Sequence, residues 1–135
     1  MQTVLVTGAS GFIGLNLLHL LSPQPHRVVG LADRPLPELA AASLAGLGPV
    51  PQVDQVDIVD ADAVATCFER HRPDVVLHAA AVTAGPDRGR LEARTIVDVN
   101  IGGTQSVLDA CQPTPRTGWS SQMRTPMYAS SVRWA

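Results

Sequence analysis

Apolar positions follow two different periods along this chain. Thr3 to Thr7 (Thr-Val-Leu-Val-Thr) is a short continuous apolar run, as expected of a strand covered on both faces. Ile13, Leu17, Leu20 and Leu21 then recur at helical spacing, and Ser22-Pro23 predicts the end of that helix. Arg27 to Ala32 predicts a second strand. Pro35 to Gly46, rich in Ala and Leu, predicts a short helix, broken by Gly48-Pro49 and Pro51. Val53 to Val59 predicts a third strand. Val64, Cys67, Phe68 and His71 line one face of a helix that Asp60 can cap and Pro73 ends. Asp74 to Ala81, nearly all apolar, predicts a fourth strand. A long helix is expected from about Arg90 to Cys111, with Ile96, Asn100, Gly103, Val107 and Ala110 on its inner face. Gln112 to Pro126, punctuated by Pro113, Pro115, Gly118 and Pro126, predicts an irregular insert rich in Pro, Ser and Thr. Met127 to Ser131 predicts a fifth strand.

Strands alternating with helices imply parallel βαβ units, hence an α/β fold. The expectation is a Rossmann-type parallel sheet of about five strands in the order 3-2-1-4-5, with helices on both faces. At 135 residues the chain holds one domain. That domain, 1–135, is expected to be incomplete at its C-terminus, with 112–126 as an insert and no substrate domain.

Composition narrows the function. Apolar residues make up 45% and charged residues 16%, which argues against disorder. The formal net charge is −2, all ten basic residues are Arg, and there is no Lys. A near-neutral chain without a basic stripe is a poor match to nucleic acid. The missing Lys excludes an ammonium general acid or a Schiff base from within these residues. Cys67 and Cys111 form no metal or redox motif. No apolar run reaches the ~18 residues of a membrane span, and Met1 to Val6 has no signal-peptide pattern. A cytoplasmic setting is the expectation.

Thr7-Gly-Ala-Ser-Gly-Phe-Ile-Gly14 carries the sharpest chemistry. It follows the first strand and opens the first helix, where free N–H groups and the helix dipole favour an anion. Gly8 permits a tight turn. Gly11, lacking a Cβ, leaves room for a pyrophosphate. Gly14 permits close helix packing. Packing alone could also demand a glycine-rich turn. However, Asp33 follows Gly14 by 19 residues, the separation at which an acid can hydrogen-bond an adenosine ribose. That position favours NAD, while Arg34 beside it keeps NADP open as a phosphate acceptor. Other polar residues have plainer readings. Asp54, Asp57, Asp60 and Asp62 lack the glycine of a calcium loop, so no metal site is expected. His78, in an apolar strand, reads as a hydrogen-bonded structural histidine. Cys67 and Cys111 read as core thiols.

These motifs, with Asp57-Ile58, His78-Ala-Ala-Ala81, Asn100-Ile-Gly-Gly-Thr104 and Tyr128-Ala-Ser-Ser131, resemble the extended short-chain dehydrogenase/reductases, the NAD-dependent epimerase/dehydratase group. The resemblance covers residues 2 to about 111 and resumes at 127–132. It implies that Gly8, Gly11, Phe12 and Ile13 line the pyrophosphate, with Gly14 packed behind. It implies that Asp33 holds the ribose, Asp57 and Ile58 meet the adenine, and Ala79, Ala80 and Ala81 form the floor. Asn100 matches the group's inward-facing helix Asn near the cofactor. Ser131 matches the Ser or Thr that hydrogen-bonds substrate in the catalytic site. The implied cofactor is NAD, the implied substrate a sugar or nucleotide sugar, and a homodimer is common among relatives.

The group's chemistry rests on a Tyr-x-x-x-Lys pair, in which the Lys lowers the Tyr pKa. No Lys exists here, and the sole Tyr, Tyr128, lies in the strand motif. This chain alone is therefore expected to be inactive. Three readings follow: the cofactor half of an enzyme, a non-catalytic dinucleotide-binding or sensor module, or a damaged gene fragment.

Overall fold

A computed structural model describes residues 1–83 and 93–112. The elements are β1 (Gln2–Thr7), α1 (Phe12–Leu21), β2 (His26–Ala32), α2 (Glu38–Ala45), β3 (Gln52–Gln55), α3 (Ala61–His71) and β4 (Val75–His78). They are followed by α4 (Ala93–Val97), a π-helical segment (Asp98–Gly103) and α5 (Thr104–Cys111). The four strands form one parallel sheet in the order β3-β2-β1-β4. Met127–Ser131, the expected fifth strand, lies outside the described residues, as do the insert from Pro113 onward and Ser131 itself.

Strand pleating sorts the apolar residues onto two cores. Leu5 and Leu31 face α3 and α5, where they pack with Ile58, Val64, Cys67, Phe68 and Val107. Val6, Val28 and Ala32 face the other way and pack with Ala9, Leu18 and Leu44 of the α1–α2 layer. Helices therefore cover both faces, as the unbroken apolar strands require.

Several element ends differ from the sequence expectation, each for a local reason. β3 stops at Gln55 rather than Val59. There the Asp57 carboxylate accepts the Val59 N–H at 3.0 Å, and the Asp60 N–H bonds the Asp57 carbonyl at 3.1 Å, closing a turn. β4 stops at His78 rather than Ala81, because the Ala79 and Ala80 N–H groups both turn to Thr7 Oγ1 at 3.2 Å. α2 begins at Glu38 rather than Pro35, with the Pro37 carbonyl accepting its first N–H bonds. Asp60 caps α3 as expected, its Oδ1 accepting the Ala63 N–H at 3.0 Å. The long helix contains a π-helical segment that its apolar spacing did not signal.

The chain runs outward from β1 to β3, then returns to place β4 on the other side of β1. The C-terminal ends of β1 and β4 therefore form a switch point in strand order. In open parallel sheets, ligands bind in the crevice at such a point.

Candidate functional site: a glycine turn at the switch point

The turn after β1 is built by exclusion of side chains. Gly8 has φ +66°, and a Cβ there would lie 2.7 Å from the Ala80 backbone nitrogen and Cα. The Gly8 carbonyl accepts the Gly11 N–H at 2.9 Å, and the Gly11 carbonyl accepts the Leu15 N–H at 2.9 Å. A Cβ on Gly14 would strike the Gly8 carbonyl and stand 2.8 Å from Ala9 Cα. Gly14 therefore keeps α1 tight against its own turn, a more local role than helix–sheet packing. Among the described residues, a Cβ at Gly11 would meet only the Gly8 oxygen, at 3.2 Å. That side is open, as an approaching anion needs.

α1 starts at Gly11 with no side-chain cap. Among the described residues, the first N–H groups of the helix thus keep unclaimed donors beside the open glycine. Phe12 and Ile13, expected to line the same place, are exposed at 85% and 62%. A surface this apolar beside free donors is unusual unless something covers it.

The opposite edge of the crevice carries Asp33, one residue past β2. Gln55 Nε2 donates to the Asp33 carbonyl at 3.2 Å, and the Val56 N–H to the Ala32 carbonyl at 2.8 Å. These bonds join the Asp33 corner to the loop of Asp57 and Ile58. Arg34 Nε lies 4.0 Å from Asp33 Oδ1, with both side chains well exposed. Such a pair is weak and leaves the carboxylate available. Ile58 buries its side chain in the core and keeps only its backbone for the crevice. Asp57 spends one carboxylate oxygen on the Val59 N–H.

Thr7 closes the site from below, and the sequence reading did not assign it a role. It is fully buried, and its hydroxyl oxygen accepts from both Ala79 and Ala80. With both lone pairs used, its O–H donates to His78 Nδ1 at 2.7 Å. The imidazole proton then sits on Nε2, which donates to Thr104 Oγ1 at 3.0 Å. Thr104 O–H donates to the Asn100 carbonyl at 2.8 Å. Burial holds the His78 pKa below its ordinary 6.5, in favour of the neutral ring this chain of bonds needs. The structural-histidine reading of His78 thus gains its partners.

Asn100 turns its side-chain amide to the main chain of Val82. Its Oδ1 accepts the Val82 N–H at 2.8 Å, and its Nδ2 donates to the Val82 carbonyl at 2.9 Å. The amide clamps the segment that leaves β4 beyond Ala81. Its location within the π-helical segment accords with the frequent use of π-turns at functional sites.

A second polar cluster lies away from this crevice. Asp54 Oδ2 accepts from His71 Nε2 at 2.7 Å, from Arg70 at 3.2 Å and from Cys67 Sγ at 3.7 Å. Gln52 donates to Oδ1 at 2.8 Å. Arg27 donates to His71 Nδ1 at 3.0 Å. Burial opposes the Asp54 charge, but the hydrogen bonds from His71 and Gln52 and the nearby positive charge outweigh it, so its pKa lies below 3.8. Burial, with Asp54 adding to it, pushes the Cys67 thiol up to about 11. Asp54, Cys67 and His71 have metal-ligand composition. Arg27 can only donate, so His71 carries its proton on Nε2 and offers no lone pair toward the other two. The geometry is that of a hydrogen-bonded brace for the end of α3.

The sequence profile of the NAD dependent epimerase/dehydratase family matches residues 4–135. This chain belongs to that family. Among the relatives of this family member are the dTDP-glucose 4,6-dehydratase of Haemophilus influenzae, 32% identical over 114 residues, and dTDP-glucose 4,6-dehydratase 1 of Escherichia coli, 33% identical over 121 residues. Those alignments cover 83% and 87% of this chain but 33% and 32% of the relatives. A UDP-glucose-4-epimerase structure from Stenotrophomonas maltophila, with bound NAD and formylated UDP-arabinopyranose, superposes with TM-score 0.73 at 30% identity. It covers 83% of this chain and 34% of that one. The Brucella ovis UDP-glucose 4-epimerase in complex with NAD gives TM-score 0.67 at 29% identity, covering 82% and 32%. This epimerase/dehydratase family member thus spans about a third of the length of the relatives it matches. Its Rossmann-type fold agrees with theirs. Among the described residues, no helix is long and apolar enough to cross a membrane.

Proposed function

We propose that this chain is the dinucleotide-binding part of a cytoplasmic, NAD-dependent epimerase, dehydratase or sugar dehydrogenase acting on a sugar or nucleotide-sugar hydroxyl. The uncapped start of α1, beside the open face of Gly11 at the switch point, carries this reading. NAD supplies the hydride acceptor when bound. The first N–H groups of α1, with Gly8 and Gly11, hold its pyrophosphate, and Phe12 and Ile13 shield that linkage from water. Asp33 accepts from the adenosine ribose hydroxyls and repels a 2′-phosphate, which favours NAD over NADP despite Arg34. Asp57 and the Ile58 backbone meet the adenine, while Ala79, Ala80 and Ala81 floor the crevice. Asn100 supports that floor through Val82, and Ser131 is assigned to the substrate. In a complete enzyme a homodimer is the expected assembly.

A second reading is a dinucleotide-binding module that does no chemistry, which the uncapped start of α1 and the open face of Gly11 support equally. On either reading the chain alone does not turn over. Isothermal titration of the chain with NAD⁺ tests both. Asp33→Ala is expected to weaken binding roughly 10- to 100-fold, the loss of a charge-assisted hydrogen bond. Gly11→Val is expected to abolish it by filling the pyrophosphate space. No binding by the native chain, or unchanged affinity in both variants, refutes the assignment.

A further inference from the structure

We propose that Thr7 and His78 are positioning residues for the dinucleotide crevice, and that adding a proton to His78 releases the floor and weakens cofactor binding. The inference rests on the cofactor reading above but not on the catalytic one. The geometry leaves the Thr7 hydroxyl no spare capacity. Both oxygen lone pairs hold the Ala79 and Ala80 N–H groups at 3.2 Å, and its single proton is committed to His78 Nδ1 at 2.7 Å. An imidazolium would donate from Nδ1 as well as from Nε2. The Thr7 hydroxyl would have to turn and accept that third donor, so one of the two alanine N–H groups would lose its partner. Ala80 is the residue whose backbone abuts Gly8. Loosening it frees the turn that sets the helix donors.

Among the described residues, the side chains bonded to His78 do not titrate. β1 presents Thr7, and the helical rod presents Thr104. The rod's charged residues Arg94 and Asp98 pair with each other at 3.8 Å. Among the described residues burial alone lowers the His78 pKa, with no charge contributing. The device therefore acts on the acid side of the ordinary histidine range.

The full chain is titrated with NAD⁺ between about pH 8 and pH 5, the range that spans histidine protonation. Affinity is expected to fall about fivefold toward the acid end, the size of one net hydrogen bond. His78→Gln is expected to flatten that profile, since its side chain does not titrate. Thr7→Ser, which keeps the hydroxyl, is expected to follow the native profile, whereas Thr7→Val binds weakly throughout. In the ligand-free chain, the Ala79 and Ala80 amides are expected to lose hydrogen-exchange protection over the same interval, after correction for intrinsic exchange. A flat native profile, an unchanged slope in His78→Gln, or tighter binding in acid overturns the proposal; the last would mean that the imidazolium simply attracts the phosphates. If NAD⁺ binds at no pH, the cofactor reading fails. Amide protection that then stays constant with pH would also overturn the Thr7–His78 device.

Discussion

Gly102 and Gly103 are neighbours in the π-helical segment, yet alanine is expected to affect them with opposite sign. Among the described residues, a Cβ on Gly102 meets nothing within 4 Å. There the substitution only restricts the unfolded chain, which stabilises by about 0.4–1 kcal/mol. A Cβ on Gly103 would stand 2.5 Å from Cδ1 and Cγ1 of Ile58 and 3.4 Å from its Cβ. Ile58 is 6% exposed and packed among Leu5, Leu31, Val64 and Val107, so it cannot swing aside freely. Overpacking of this kind costs about 1–3 kcal/mol. After the same backbone gain is subtracted, Gly103→Ala loses up to about 2.6 kcal/mol net. Urea unfolding followed by circular dichroism resolves that difference in midpoint. Ile58→Ala, which removes both Cγ1 and Cδ1, is expected to relieve the clash of Gly103→Ala, with a coupling of at least about 0.5 kcal/mol in a double-mutant cycle. The same change is expected to be additive with Gly102→Ala. If Gly103→Ala is as stable as Gly102→Ala, or if its cycle is additive, the close helix–loop contact is not what demands glycine.

Two further predictions concern the brace around Asp54. Asp54→Ala strands the His71 Nε2–H, whose side chain is 1% exposed, and is expected to cost about 1–3 kcal/mol near neutral pH. Because the folded-state pKa of Asp54 lies below 3.8, its charge stabilises fully above that value, and the contribution is lost as pH falls through the lowered pKa. The gap between native and variant in urea titrations is therefore expected to narrow below about pH 3.8; a gap that widens in acid contradicts the assignment. Cys67, with its thiol pushed up to about 11, is expected to react with iodoacetamide at pH 8 about 100-fold more slowly than in the urea-unfolded chain. Peptide mass spectrometry reads this directly, and equal rates would refute it.

The alternation of strands and helices was legible because β1, β2 and β4 are largely apolar on both faces. β1 and β2 follow their apolar runs almost to the residue. The glycine turn was legible because its three glycines and the position of Asp33 are local features. What sequence spacing could not show was pairing across the sheet. Thr7 precedes a glycine turn and looked like a strand terminus. Its role appears only when β4, 71 residues away, brings His78 alongside. Asp54 could be read only as lacking a calcium-loop glycine, because its partners His71 and Arg70 reach it from another element. Asn100 could be placed on the inner face of its helix, but its partners, the main-chain groups of Val82, could not be read from spacing. The strand ends were misjudged where a side chain captured a backbone N–H, as Asp57 does after β3 and Thr7 after β4.

The two apolar layers of the sheet also set an order of assembly. The α1–α2 core draws its buried residues from Val6 to Leu44, so it can close while less than half of the chain is available. The α3–α5 core cannot, because Leu5 and Leu31 there wait for Val107. During synthesis the first layer can form on the ribosome around β1 and β2. The far side of the same strands is covered only by Ile58 and α3 until α5 emerges. That interval is when the nascent chain most needs a chaperone, and any slowing of translation between α3 and α5 would prolong it.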